Sequence, residues 1–299
     1  MKPTAGNLDR WKIGWLDIIV TCAVLGALFY LTYRAVGVLR YDWNWGEIPQ
    51  YFFRYDEVEG KWVANLLVQG FLTTARLAIW AAILASIIGL AMGLCRVSNI
   101  LFLRLVSRAY VELVRNLPPL VFIFIFYFFI SSQLTPLLGL DDFARNASPT
   151  SLKIINILFS EPKLFSNYMA GLFCLALFEG AYFAEIIRAG IQSVPKEQWE
   201  AGESMGLTRL QVLRYVVVPQ AFRNIVPPLA VQFITLIKDS AIVSLISIQE
   251  LTFLAMEIAI STTRFFELLI TLAILYFVIC YSCALIFNRL EKRMARAHQ

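Results

Sequence analysis

Histidine is almost missing from this chain of 299 residues; the one present, His298, stands next to the end. That removes most imidazole chemistry, zinc centres and Ser-His-Asp triads alike. Charge is also scarce, at 16% of residues, where soluble domains carry about 25%. Cysteine is present but badly placed for chemistry. Cys22, Cys95, Cys174, Cys280 and Cys283 all lie in or beside apolar runs, so they read as buried filler, and Cys280-Tyr-Ser-Cys283 does not read as a redox pair. No Gly-x-x-x-x-Gly-Lys-Ser/Thr stretch occurs, which excludes a P-loop nucleotide site. Nothing resembles a nucleophile elbow, a metal constellation or a paired-carboxylate hydrolase site, and no repeat of 20–50 residues is visible.

What the chain has in excess is apolar surface: 59% of residues are hydrophobic and the mean hydropathy is +0.67. Six runs are long and apolar enough to span a bilayer, roughly 13–33, 66–94, 117–134, 165–188, 223–245 and 265–288. The first follows Lys2, Arg10 and Lys12. At roughly 20 residues it exceeds the 7–15 of a signal-peptide core, so it is expected to remain as a membrane helix. A shorter stretch at 251–260, flanked and interrupted by Glu250 and Glu257, is expected to be a re-entrant or interfacial piece. These runs predict an all-α membrane protein of about six transmembrane helices. Residues 1–65 form an N-terminal helix with an external loop, and 66–295 the main transmembrane domain.

The arginines and lysines orient it. With the N-terminus in the cytoplasm, the inner segments hold 16 of the 26 basic residues, in four clusters: Lys2 to Lys12, Arg96 to Arg115, Arg188 to Arg223 and Arg289 to Arg296. The outer segments hold seven, Arg34 and Arg40 among them, diluted by acids such as Asp42, Glu59, Asp141 and Asp142. Both termini are therefore expected inside. The aromatic loop "YDWNWGEIPQYFF" is expected to lie on the outer membrane surface. The stretch "RVSNILFLRLVSRAYVELVRNLPP" reads as a basic amphipathic helix along the inner surface, with Leu101, Leu105 and Val106 on its apolar side and Pro118-Pro119 opening the third span.

One charged segment interrupts the apolar chain: "SVPKEQWEAGESMGLTRLQVLRYVVVPQAF", residues 193–222. Pro195 suits the first turn of a helix. Lys196, Glu200 and Glu203 share one polar face. Gly206 suits a left-handed stop, and Thr208 with Gln211 forms a capping box that starts a second helix. Leu210, Leu213 and Val217 give that helix its apolar side, and Pro219 is expected to close it. The product is a rigid helical hairpin facing the cytoplasm, where a plain linker would need only about two to eight residues.

The segment Glu200-Ala201-Gly202, followed by Gly206 and then by Val216-x-Val218-Pro219, resembles the EAA loop of permease subunits in binding-protein-dependent ABC importers. The family pattern is E-A-A, a glycine four residues on, then I-x-L-P, so this chain departs at Gly202, Val216 and Val218. The flanks "GAYFAEIIRAGIQSVPKEQWEAG", "VPQAFRNIVPPLAVQFITLIKDSAIVSLI" and "ELVRNLPPLVFIFIFYF" resemble the polar amino-acid uptake branch, over about residues 66–295. The resemblance implies a five-helix permease core plus the extra N-terminal helix, in a bacterial inner membrane. The hairpin at 193–222 would be a coupling element seated in a cytoplasmic ATPase, with Glu200, Ala201, Gly202, Glu203, Gly206 and Pro219 at the contact. It further implies two ATP-binding cassette subunits, a second permease of the same or different sequence, and an external solute-binding protein. ATP and magnesium would be bound by the ATPase, leaving this chain without a cofactor, without catalysis and without nucleic acid. The cargo would be a polar amino acid such as glutamate, glutamine, aspartate, histidine or arginine. A stand-alone carrier fits less well, since such proteins often show ten or more spans with inverted repeats.

Ionisable residues inside spans are functional candidates, because lipid exposure costs each several kcal/mol. Asp17 and Glu185 lie near inner helix ends and can reach the interface. Arg76, Glu179, Lys238 and Asp239 lie deeper and are the candidates for the substrate pathway. Glu179, beside Gly180 and Ala181, has two readings. It is half of an ion pair with Arg76 or Lys238, or it faces a cavity and holds the ammonium of the passing amino acid, with Arg76 and Lys238 as candidates for the carboxylate.

Overall fold

The computed structural model describes residues 14–39, 41–58 and 60–296. Lys2, Arg10, Lys12, Arg40, Glu59 and His298 lie outside the described residues, so the part of the orientation argument that uses them has no structural counterpart. The chain forms two units, one ending at Asn44 and one beginning at Trp45. The first contains α1 (Trp15–Leu39), of which Trp15–Arg34 is apolar enough to cross a membrane. Asp17 turns back to accept the Gly14 backbone N–H at 2.8 Å and so starts that helix.

The second unit opens with a feature that hydropathy did not reveal, a two-stranded antiparallel hairpin of β1 (Phe53–Asp56) and β2 (Lys61–Ala64). Tyr55 faces Trp62 across it, ring edge to ring face at 5.8 Å. Aromatic and β-branched residues favour such pairing, and Gly60, at φ +62°, supplies the left-handed residue of the turn.

Helices follow: α2 (Leu66–Val97), α3 (Leu101–Asn116), α4 (Pro119–Ile125), α5 (Ser132–Leu137), α6 (Leu140–Arg145), α7 (Pro149–Leu158), α8 (Phe165–Gln192), α9 (Lys196–Ser204), α10 (Arg209–Val212), α11 (Val218–Asp239), α12 (Leu251–Thr262) and α13 (Phe265–Arg296). Counting α1, six helical segments among the described residues are long and apolar enough to span, the number read from hydropathy. The short 251–260 stretch is α12, packed on α2 and α13.

Two spans are compound. A wide π turn, Phe126–Ser131, joins α4 to α5, and another, Leu213–Val217, joins α10 to α11. The second overturns the expectation that Pro219 closes a hairpin helix. Pro219 lies in the first turn of α11, and the chain runs helically from Arg209 to Ile246. A proline ring clashes with the carbonyl four residues back and leaves it without a donor. The widened turn just before Pro219 makes room for the ring without stopping the helix.

The centre of the unit is the parallel pair α2 and α8. A Cβ placed on Gly89 would stand 2.4 Å from Phe183 Cβ, and one on Gly93 would stand 2.9 Å from Ile187 Cγ2. Lipid offers no hydrophobic drive for helix association, so such backbone contact through small residues is what holds spans together. Gly89→Ala is expected to push the helices apart and cost about 1–3 kcal/mol, the usual penalty of overpacking. Thermal unfolding in detergent reads this, and an unchanged midpoint would show that the contact is slack.

The segment read as a basic amphipathic helix is α3, and it also packs on the bundle. α3 packs against α2 and α8 through Ser107, Val111 and Val114, all buried, while Leu101, Leu105 and Val106 are exposed. Ser107 donates to the Met92 carbonyl at 2.7 Å and Tyr110 to that of Leu177 at 2.5 Å. These hydroxyl bonds tie the Ser107–Val114 side of α3 to its two neighbouring helices and leave Leu101, Leu105 and Val106 on the outward side.

Candidate functional site

The charged hairpin is built as its local signals dictate. Gly206 has φ +80°. Thr208 and Gln211 form a reciprocal capping box, the Thr208 N–H donating to Gln211 Oε1 at 2.8 Å and the Gln211 N–H to Thr208 Oγ1 at 3.4 Å. Gly202 is buried because Val212 packs on it; a Cβ there would meet a Val212 methyl at 2.9 Å. The departure from E-A-A is therefore matched by a valine that fills the space. Leu210 is 74% exposed, whereas Val212 and Val217 are fully buried and Leu213 is half-buried with them, so Val212 takes the inward place expected of Leu210. The π turn that absorbs Pro219 also rotates the register after Val212.

Braces tie the hairpin to α8 and α11. Asn224 donates to Ser193 Oγ at 2.8 Å, Gln220 to Gln198 Oε1 at 3.2 Å, and the Arg209 guanidinium lies over the Trp199 ring at 5.9 Å. Glu200, Ala201 and Glu203 face outward and Pro219 is also exposed. The Glu200 carboxylate has no hydrogen-bond or ionic partner among the described residues. The structure thus presents two carboxylates on a stiff, braced support.

Deeper in the bundle, Glu179 is completely buried on α8. One carboxylate oxygen accepts from Gln232 Nε2 of α11 at 2.8 Å; the other has no hydrogen-bond partner among the described residues. Asp239 lies close enough to act on it electrostatically. The ion pair with Arg76 or Lys238 is absent. Arg76 donates to the Asn156 carbonyl at 3.1 Å, and Lys238 is exposed beside half-buried Asp239. Glu179 and Asp239 are brought together; Arg76 is not with them. Tyr168, near Arg76, and Glu179 are separated by about 16 Å along α8 at 1.5 Å per residue. Gln232 escaped the sequence reading because a neutral amide inside a span carries no charge signal.

Two other acids are fully accounted for. Glu185 pairs with Arg96 at 2.5 Å, with Arg188 on its own helix, and with Arg115 at 3.9 Å. It therefore ties α2, α3 and α8 together. Glu250, an apparent interruption of the 251–260 run, caps α12. Its Oε1 accepts the Phe253 N–H at 2.8 Å, and its Oε2 accepts from Tyr276 at 2.8 Å and Thr74 at 3.2 Å. Burial pushes its carboxyl above the ordinary range, opposed by these donors. Glu250→Ala removes a cap worth about 1 kcal/mol and takes one acceptor from each of the Thr74 and Tyr276 hydroxyls, about 0.5–1.5 each. A loss of at least about 2 kcal/mol in detergent unfolding is expected, and Glu250→Gln, which keeps an acceptor, should recover part of it. Equal stability of both variants and wild type would mean that the network contributes nothing.

Residues 85–296 match the family model described as the binding-protein-dependent transport system inner membrane component. A putative glutamine transport system permease protein GlnP of Rickettsia typhi is 32% identical over 228 residues, 76% of this chain and 92% of the relative. The L-cystine transport system permease protein TcyB of Bacillus subtilis is 36% identical over 233 residues, 77% of this chain and 87% of that one. A chain from a crystal structure of an amino acid ABC transporter with histidines superposes with a TM-score of 0.61 at 35% identity. That match covers 76% of this chain and 94% of that one.

Proposed function

The chain belongs to the family of binding-protein-dependent transport system inner membrane components, and we propose that it carries a polar amino acid across the bacterial inner membrane into the cytoplasm. It is a multi-pass membrane protein, the permease of an amino-acid ABC importer. The observation that carries the cargo assignment is Glu179, a buried mid-span carboxylate with one oxygen unpartnered and Asp239 beside it. Two carboxyl groups so placed in a low-dielectric setting favour a cation between them. The α-ammonium of an amino acid is such a cation. Glutamine, histidine and arginine fit beside the pair better than aspartate or glutamate, whose side chains add a third negative charge.

The energy enters through other chains. The α9–α10 hairpin, with exposed Glu200 and Glu203, docks into an ATP-binding cassette subunit that holds ATP and magnesium. Two such subunits, a second permease and an external solute-binding protein complete the importer. The test is reconstitution with candidate partners in liposomes and uptake of a panel of radiolabelled amino acids. Absence of ATP-dependent uptake of every amino acid would overturn the cargo assignment.

The orientation has its own test. Single cysteines at Gln198 and Arg209, in a background free of native cysteine, should react only when reagent reaches the cytoplasm, and those at Asn44 and Asp141 from outside. Labelling of Gln198 in intact cells would overturn both the orientation and the docking.

A further inference from the structure

At the end of the bundle opposite the α9–α10 hairpin there is a polar chamber of about 270 Å³. Arg76 of α2, Asn156 of α7, Tyr168 of α8 and, in the exposed turn before α8, Glu161 line it. Arg76 spends one of its guanidinium donors on the Asn156 carbonyl and has no ionic partner among the described residues. Five such donors are available on the group, so most of the fork remains open. Tyr168 is 2% exposed, and its hydroxyl has no hydrogen-bond partner among the described residues. Arg76 is near enough to act on that hydroxyl electrostatically. Glu161 lines the same chamber, and its carboxylate has no ion-pair partner among the described residues.

A buried hydroxyl without a partner destabilises the folded chain, which gains nothing from it. The chamber also holds one cation and one anion that do not neutralise each other. A simple anion would satisfy Arg76 but would face Glu161, and a simple cation would meet the converse. A ligand bearing both charges on adjacent atoms satisfies all three groups. The volume lies just under the roughly 300–1,000 Å³ of small-molecule sites, enough for one amino acid and too small for a peptide.

We propose that this chamber is a receiving site for one zwitterionic α-amino acid, its carboxylate held by Arg76 and the Tyr168 hydroxyl and its ammonium by Glu161. The inference rests on the amino-acid reading above and adds a second station to it. About 16 Å of helix separates Tyr168 from Glu179, further than one amino acid can reach, so the two levels are occupied in turn.

The test is equilibrium binding of radiolabelled glutamine, arginine, cystine and glutamate, each in turn, to the assembled complex in nanodiscs without the solute-binding protein. At least one should bind saturably. Its α-N-acetyl and α-methyl ester derivatives, each lacking one charge, should fail to compete. Tyr168→Phe should weaken binding tenfold or more with the thermal midpoint unchanged or raised, since the lost hydroxyl has no partner to strand. Arg76→Gln should weaken it similarly. Saturable binding that survives both Tyr168→Phe and Arg76→Gln unchanged would overturn this site and leave the cargo assignment standing. No saturable binding of any probe, in a complex that still transports, would overturn it as well. Failure of transport itself would instead sink the reading on which it rests.

Discussion

Glu200→Ala and Gly206→Leu should each lower transport by tenfold or more while the protein still inserts, folds and assembles its spans. Both residues lie before Arg209, outside the segments long and apolar enough to cross a membrane. The Glu200 carboxylate has no partner within the chain, so its removal takes nothing from the fold. Any loss of function is then the loss of a contact with another protein. Gly206 acts differently. A Cβ there meets nothing within 4 Å, so crowding is not the issue, but φ +80° costs a residue with a side chain roughly 1–2 kcal/mol. α9 has only nine residues, short of the 12–15 that hold a helix in water alone. A penalty of that size shifts its folded population roughly 5–30-fold. The measurement is ATP hydrolysis stimulated by the loaded solute-binding protein, beside expression and thermal unfolding. Normal stimulation in both variants would reduce the hairpin to a connector.

Glu179→Gln should reduce uptake tenfold or more at subsaturating substrate, the equivalent of about 1.4 kcal/mol of weakened charge contact. Basal ATP hydrolysis and docking of the solute-binding protein should persist. The variant keeps the shape of the side chain and relieves the repulsion from Asp239, so its thermal stability should hold or rise. A fall in stability with transport intact would make Glu179 a structural acid. Wild-type values for both would remove it from either role.

Much of this was readable from short-range pattern. The spans follow from run length, and the Gly206 turn and Thr208–Gln211 cap follow from residues within four positions of one another. Part of what was missed depended on partners far away in the chain. Pro219 was read as a stop because the rule for proline ignores the relief a neighbouring π turn supplies. Glu250 looked like an interruption, since its three donors come from α2, α12 and α13. The Glu179–Gln232 contact joins residues 53 positions apart, with no periodicity linking them. The β1–β2 hairpin was missed because four-residue strands fall below the length at which alternation becomes distinct.

The unbroken run from Arg209 through Asp239 has a mechanical consequence. The second arm of the hairpin and the span bearing Gln232 and Asp239 are one piece of helix, about 45 Å long. An α-helix is stiff along its axis, because stretching it strains every backbone hydrogen bond in series. Axial displacement imposed at one end therefore reaches the other with little attenuation. Bending is another matter: the π turn at Leu213–Val217 and the prolines Pro227 and Pro228 lack regular backbone bonds, and compliance collects there. A thrust on the hairpin end would thus slide Gln232 and Asp239 past Glu179, and a sideways force would be absorbed before arriving.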